Sequence, residues 1–121
     1  MVSALFDTNI LIDYLVGRPA AQRELSRYRI RKISVISWME VMVGTDEQTE
    51  AITRAFLDGF EVVDVRPDVA ERAVALRRAH RIKLPDAVVW ASAQLEGCTL
   101  VTRNTRDFGS NAPGVRFPYR A

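Results

Sequence analysis

A chain of 121 residues with 48% apolar side chains is one domain's worth of sequence, apolar enough for a continuous core and too apolar for disorder. No apolar run approaches the ~20 residues of a membrane span, and the opening MVSALFDTNILIDYL lacks a basic n-region and is broken by Asp7, Asn9 and Asp13, so no signal peptide is expected. The net charge of +2 excludes little, whereas the lone Cys98 excludes an intrachain disulfide and suits a reducing cytoplasm.

Residues 2–6 (VSALF) form a short apolar run ending at Asp7, which predicts a buried strand. Ile10, Leu11, Tyr14 and Leu15 then recur at helical spacing until Gly17-Arg18-Pro19 breaks the pattern, and a second helix is expected from about Ala20 to Tyr28. Residues 33–36 (ISVI) predict a β-branched strand. Ser37 with Glu40 three positions later has the spacing of a capping box for a helix through Val43, closed by Gly44, and Thr45 with Gln48 repeats the signal for a helix reaching about Asp58. A strand over 60–65 (FEVVDV) precedes a helix started by Pro67-Asp68 with Val69, Ala73, Leu76 and Ala79 on one side. Pro85 opens a further helix closed by Gly97. Residues 99–102 (TLVT) predict the last main strand, with a short one near 115–117.

Short apolar strands alternating with amphipathic helices predict a single α/β domain spanning 1–121, with a mainly parallel sheet covered by helices on both faces. Ligands of such sheets bind beyond the carboxyl ends of the strands. Asp7, the Ser37–Glu40 segment and the Thr102–Asp107 segment each follow a predicted strand, and Asp86 opens a helix whose first turn can face the same edge. Two carboxylates about 4 Å apart repel by about 4 kcal/mol at an effective dielectric near 20. A cluster of them therefore calls for a cation or for protonation. Hard divalent ions take oxygen ligands and can activate a water for in-line attack on a phosphodiester.

Each acid also has a simpler structural reading. Asp7 can cap the first helix, Glu40 can complete the box with Ser37, Asp86 complements a helix macrodipole, and Asp107 can be a turn residue. The combination points to a metal more than any single member does.

The segments Leu5-Phe6-Asp7-Thr8-Asn9, Ser37-Trp38-Met39-Glu40-Val41-Met42-Val43-Gly44, Leu84-Pro85-Asp86-Ala87 and Leu100-Val101-Thr102-Arg103-Asn104-Thr105-Arg106-Asp107-Phe108 resemble, in order and over essentially the whole chain, the successive motifs of PIN-domain proteins, specifically VapC-type toxins. The resemblance implies a Mg²⁺- or Mn²⁺-dependent endoribonuclease acting on single-stranded or looped RNA, inhibited by a cognate VapB-type antitoxin, and assembled as a homodimer. By position it implies that Asp7 and Asp86 bind the metal and that Glu40 helps hold it or orients the attacking water. Thr8, Asn9, Ser37 and Thr102 would support these acids and the scissile phosphate. The fourth acidic position of the family falls at Asn104 here, with Asp107 three residues later; Asp107 is expected to serve because only it adds negative charge, and this departure leaves a second metal ion open. Arg103 and Arg106 flank the motif as candidate phosphate contacts.

Fifteen of the 17 bases are arginines, whose planar fork suits phosphate, although a GC-rich coding sequence would give the same bias. They cluster as Arg27, Arg29, Arg31, Lys32 and again as Arg77, Arg78, Arg81, Lys83. His80 reads as a solvated residue near a helix end, Cys98 as a small buried filler, and Trp38, Met39, Met42 and Trp90 as core or as an interface for a second copy or the antitoxin. One histidine and one cysteine make no usual zinc site, and no dinucleotide or P-loop motif occurs. The expectation is a toxin endoribonuclease; its rivals are a PIN-type nuclease of RNA processing or of DNA, and a non-catalytic nucleic-acid-binding module.

Overall fold

The computed structural model describes residues 3–109 and 111–120. Val2, the first residue of the expected opening strand, lies outside them. The elements in chain order are β1 (Ser3–Phe6), α1 (Thr8–Leu15), α2 (Pro19–Ser26), β2 (Ile30–Ser34), α3 (Val35–Val43), α4 (Glu50–Leu57), β3 (Glu61–Val63), α5 (Pro67–His80), α6 (Leu84–Leu95), β4 (Thr99–Val101), α7 (Thr105–Phe108) and β5 (Val115–Arg116). The five strands form one sheet in the order β3-β2-β1-β4-β5, and every pairing is parallel.

The two-residue period of a strand decides which helices cover which face. In β1, Ala4 and Phe6 turn toward one core with Ile10, Leu11, Leu25, Val41 and Leu57, contributed by α1 to α4. Leu5 turns the other way and packs with Val69, Ala73, Leu76 and the buried run Ala87–Ala91 of α5 and α6. Leu100 and Val101 of β4 divide between the same two cores. The expected sheet with helices on both faces is what forms. Helix α6 is buried from Ala87 to Ala93, which explains why its apolar residues show no one-sided stripe.

Several boundaries differ from the sequence reading. The second strand is Ile30–Ser34 rather than 33–36, because its charged half is held by pairing and partners: Ile30 and Arg31 register with Ser3 and Ala4 of β1, Arg31 Nε donates to the Tyr28 carbonyl at 3.2 Å, and Lys32 Nζ lies 2.7 Å from Glu96 Oε1. The β-branched Val35 and Ile36 accordingly open α3. Its N-cap is Ser34, whose Oγ accepts from Ile36 N at 3.1 Å, so the box of Ser37 with Glu40 does not form. Asp46, not Thr45, organises the turn before α4: its Oδ1 accepts from the backbone N–H groups of Gln48 and Thr49 at 2.9 Å each. Gly44 closes α3 with an ordinary right-handed backbone. The short α7 was not predicted, and Cys98 is only partly buried.

Candidate active site

The parallel register generates the site. Phe6 pairs with Val101, so Asp7 and Thr102, the next residues on neighbouring strands, leave the carboxyl edge of the sheet side by side. Asp7 N donates to the Val101 carbonyl at 2.9 Å, and Thr102 Oγ1 donates to Asp7 Oδ2 at 2.8 Å. Asp7 is also the N-cap of α1, with Oδ1 accepting from Thr8 N at 2.8 Å. Asn9 Nδ2 donates to Thr102 Oγ1 at 3.1 Å and, more weakly, to Asp7 Oδ2 at 3.4 Å, while Asn9 Oδ1 accepts from Arg103 N at 3.3 Å. Asn104 N donates to Thr102 Oγ1 at 3.1 Å. Thr102, fully buried, is the hub that ties the loop after β4 to the start of α1.

Helix α3 brings Glu40 to this edge, where Thr8 Oγ1 donates to its Oε1 at 2.7 Å. Helix α6 brings Asp86 in its first turn. Asn104 caps α7 reciprocally: its Oδ1 accepts from Asp107 N at 3.1 Å and its Nδ2 donates to Asp107 Oδ2 at 2.8 Å. Asp107 thereby faces Asp86 within hydrogen-bonding reach. Of the two residues competing for the fourth acidic position, Asp107 joins the carboxylates and Asn104 holds it there.

The electrostatics follow from this crowding. Burial pushes the Asp7 carboxyl up, hydrogen bonds from Thr102 and Thr8 oppose it, and the charges of Glu40 and Asp107 raise it further. Asp86 is pushed up to about 7, first by burial and then by Asp7 and Asp107. Asp107 is held below its ordinary value, chiefly by the Asn104 amide, with help from Asp86, Lys83 and Arg106. Among the described residues, no three Asp, Glu, His or Cys side chains are gathered tightly enough to enclose an ion by themselves. Beside the acids lies an open polar cleft of about 510 Å³, lined by Asn9, Lys83, Arg103, Asn104, Thr105, Arg106 and Asp107.

Two expected members are placed otherwise. Ser37 is fully buried and, among the described residues, its Oγ has no hydrogen-bond partner, so it is bonded to none of the acids. The Arg103 guanidinium is committed to Asp13, with Nε 2.6 Å from Oδ2 and Nη2 3.1 Å from Oδ1, which leaves only its backbone N–H at the site. Arg106 remains exposed at the cleft.

Sequence reasoning missed Asp13. It is buried on α1 and also accepts from the Tyr119 hydroxyl at 2.9 Å, with Arg18 Nη1 at 3.6 Å. Arg18 lies over the Tyr119 ring at 4.4 Å and donates to the Arg120 carbonyl. Asp13 thus fastens the loop after β4 and the C-terminal segment to the first helix. An aspartate inside a predicted apolar helix was its only signal.

A parallel α/β/α sandwich with acidic side chains at the carboxyl edge of its sheet is an α/β domain with its ligand site at that edge. The PIN domain model matches residues 4–112. The chain belongs to the PIN domain family, in its VapC-type branch. Among curated proteins it is 28% identical to the tRNA(fMet)-specific endonuclease VapC of Shigella flexneri, over 89% of this chain and 91% of that one. Among solved structures it resembles a chain of a toxin-antitoxin complex from Klebsiella pneumoniae, with 48% identity, a TM-score of 0.92, and 98% and 99% of the two chains covered. A chain of VapBC2 from Rickettsia felis, bound to a DNA fragment from its promoter, shares the fold at 22% identity and a TM-score of 0.78, over 95% and 96% of the two chains.

Proposed function

We propose that this protein is the endoribonuclease toxin of a type II toxin–antitoxin pair, a single catalytic domain that hydrolyses RNA phosphodiester bonds with Mg²⁺ or Mn²⁺ and acts in the cytoplasm. The observation that carries the reading is that one sheet edge gathers acids from distant segments: Asp7 held by Thr102, Glu40 by Thr8 and Asp107 by Asn104, with Asp86 in the first turn of α6. Carboxyls that repel one another at such an edge present their oxygens to a hard cation. The donors are all carboxylate oxygens, without imidazole or thiolate, which suits Mg²⁺ or Mn²⁺. One or two carboxylates with waters suffice for Mg²⁺, so a site that does not enclose an ion unaided still fits one. Asp7, Asp86 and Asp107 would hold it, and when bound it would supply an activated water and charge stabilisation at the phosphoryl oxygen.

The chain's own groups do the rest. Thr102 and Thr8 fix Asp7 through both of its oxygens. Asn104 fixes Asp107. Glu40, held by Thr8 at the rim, accepts a proton from the attacking water. Lys83 and Arg106 put positive charge beside a phosphate in the cleft.

For the antitoxin, an apolar groove of about 390 Å³ runs between α1, α3 and α4, lined by Ile12, Leu15, Val16, Val41 and Ile52, with Glu40 at its end. Val16 and Ile52 are 75% and 71% exposed. An amphipathic antitoxin segment laid there would bury this surface and block the acids. Pairing of two copies is part of the same proposal.

Purified Asp7→Asn should fold as wild type and lose RNA cleavage in Mg²⁺, and Asp86→Asn likewise. Wild-type cleavage by Asp7→Asn would falsify the catalytic assignment; Mg²⁺-independent RNA binding without cleavage by wild type would favour a non-catalytic module.

A further inference from the structure

Two clusters of bases stand out in the sequence, and the fold separates them. Arg31 and Lys32 start β2 at the amino edge of the sheet, away from the acids, and their charges are committed: Lys32 to Glu96 and Glu61, Arg31 to the Tyr28 carbonyl, with Arg27 at 3.9 Å from Glu24. The other cluster lies at the end of α5. Arg77, Arg78 and Arg81 are exposed, and Lys83, two residues past Arg81, lines the polar cleft together with Arg106. Among the described residues, none of these five has an ion-pair partner. Two residues of chain span at most about 7 Å, so Arg81 is a short step from the cleft.

Bases in a last helical turn complement the macrodipole, which accounts for Arg77 and Arg78. It does not account for Arg81. That residue has a left-handed backbone, with φ 56° and ψ 35°, and it is the only non-glycine residue with positive φ among those described. A helix ends there at lower cost with glycine or asparagine. An arginine at a left-handed position two residues from a residue lining the polar cleft points to a use for its charge.

We infer that Arg77, Arg78 and Arg81, continued by Lys83 and Arg106, form a track that grips the backbone of single-stranded RNA and delivers a phosphate to the polar cleft beside the acids. The inference rests on the ribonuclease reading and adds to it the direction from which the strand enters. Phosphate contacts of this kind position a strand without reading its bases.

The test measures binding of a labelled single-stranded RNA by fluorescence anisotropy across a KCl series, in an Asp7→Asn background so that the strand survives. Replacing Arg77, Arg78 and Arg81 together by Gln should lower the log–log salt slope by about 2, since each phosphate contact to a single strand contributes about 0.7, and should weaken binding at low salt by roughly tenfold or more. Replacing the same three by Lys should restore most of both. The triple replacement Arg23→Gln, Arg27→Gln, Arg29→Gln removes equal charge elsewhere and should leave the slope near that of the parent. Equal slopes for the two Gln triples would overturn the inference, as would loss of antitoxin binding rather than RNA binding from the α5 triple. In either case, RNA cleavage by the wild-type protein would leave the ribonuclease reading standing. A wild-type protein that neither binds nor cuts RNA would sink both.

Discussion

Replacing Asp13 by Asn tests whether a residue outside the acid cluster holds that cluster in place. Asp13 is 6% exposed and receives two hydrogen bonds from Arg103, one from Tyr119, and the nearby charge of Arg18. Breaking a fully buried pair costs about 3–5 kcal/mol. The Arg103 side chain is 28% exposed and can rehydrate, and Asn retains an oxygen for one donor, so about 2 kcal/mol is expected here. For a chain of this length that lowers the melting temperature by roughly 6–10 °C. Burial raises the Asp13 carboxyl, but the hydrogen bonds of Arg103 and Tyr119 outweigh it and hold the group below its ordinary value. Its contribution is therefore complete above the unfolded pKa of about 3.9 and is lost as pH falls through the lower folded value. The gap between wild type and variant should be flat from about pH 5 to 8 and close below about pH 4. Because Arg103 N donates to Asn9, which in turn contacts Thr102, the loop should drift and cleavage should fall by about tenfold to a hundredfold with little change in RNA affinity. Thermal melts across pH, paired with cleavage kinetics, read all of this. A variant with the wild-type melting temperature and rate would refute the argument.

Three further outcomes follow from other parts of the molecule. In EDTA at pH 8, Asp86→Asn should melt roughly 3–8 °C above wild type, because it removes a charge that burial and then Asp7 and Asp107 disfavour by about 1–2 kcal/mol, and added Mg²⁺ should narrow the gap; a variant melting below wild type would contradict the electrostatics described. Arg81→Gly should gain about 0.5–1 kcal/mol by relieving the left-handed backbone, read by urea denaturation, and no gain would mean that the position is unstrained. Placing Lys at Val16 or Ile52 should abolish antitoxin binding in a pull-down without affecting cleavage, and retained binding would remove the groove between α1, α3 and α4 as the docking site.

Periodicity carried the architecture because each strand or helix had to bury a face. Alternation in β1 and helical spacing in α1 and α5 read directly. Periodicity failed where partners far along the chain set a boundary. Nothing local in Ile30-Arg31-Lys32 announces a strand, since its charges are offset by Tyr28, Glu61 and Glu96. Ser34 and Ser37 are both plausible caps one turn apart, and the end of β2 chose the first. The acids themselves were legible through their positions after strands. What the sequence could not convey was their division of labour: Asn104 serving Asp107, and Asp13 taking the Arg103 guanidinium that had looked free for phosphate.

Capping and catalysis are not competing explanations of these acids. Asp7 caps α1 through Oδ1 while Oδ2 takes Thr102, and α7 is closed at its start by Asn104 with Asp107 as the reciprocal partner. A helix start at the carboxyl edge of a parallel sheet needs an oxygen-bearing side chain to satisfy its free N–H groups. A cation site at that edge needs oxygen-bearing side chains held rigidly against their mutual repulsion. The N–H groups and hydroxyls that meet the first need supply the rigidity for the second, because hydrogen bonds orient a carboxylate and favour its ionised form against the burial that raises Asp7. Asp86 meets the same push from burial without a cap to oppose it. No side chain caps the start of α6, and Asp86, in its first turn beside Asp7 and Asp107, is the acid pushed up to about 7.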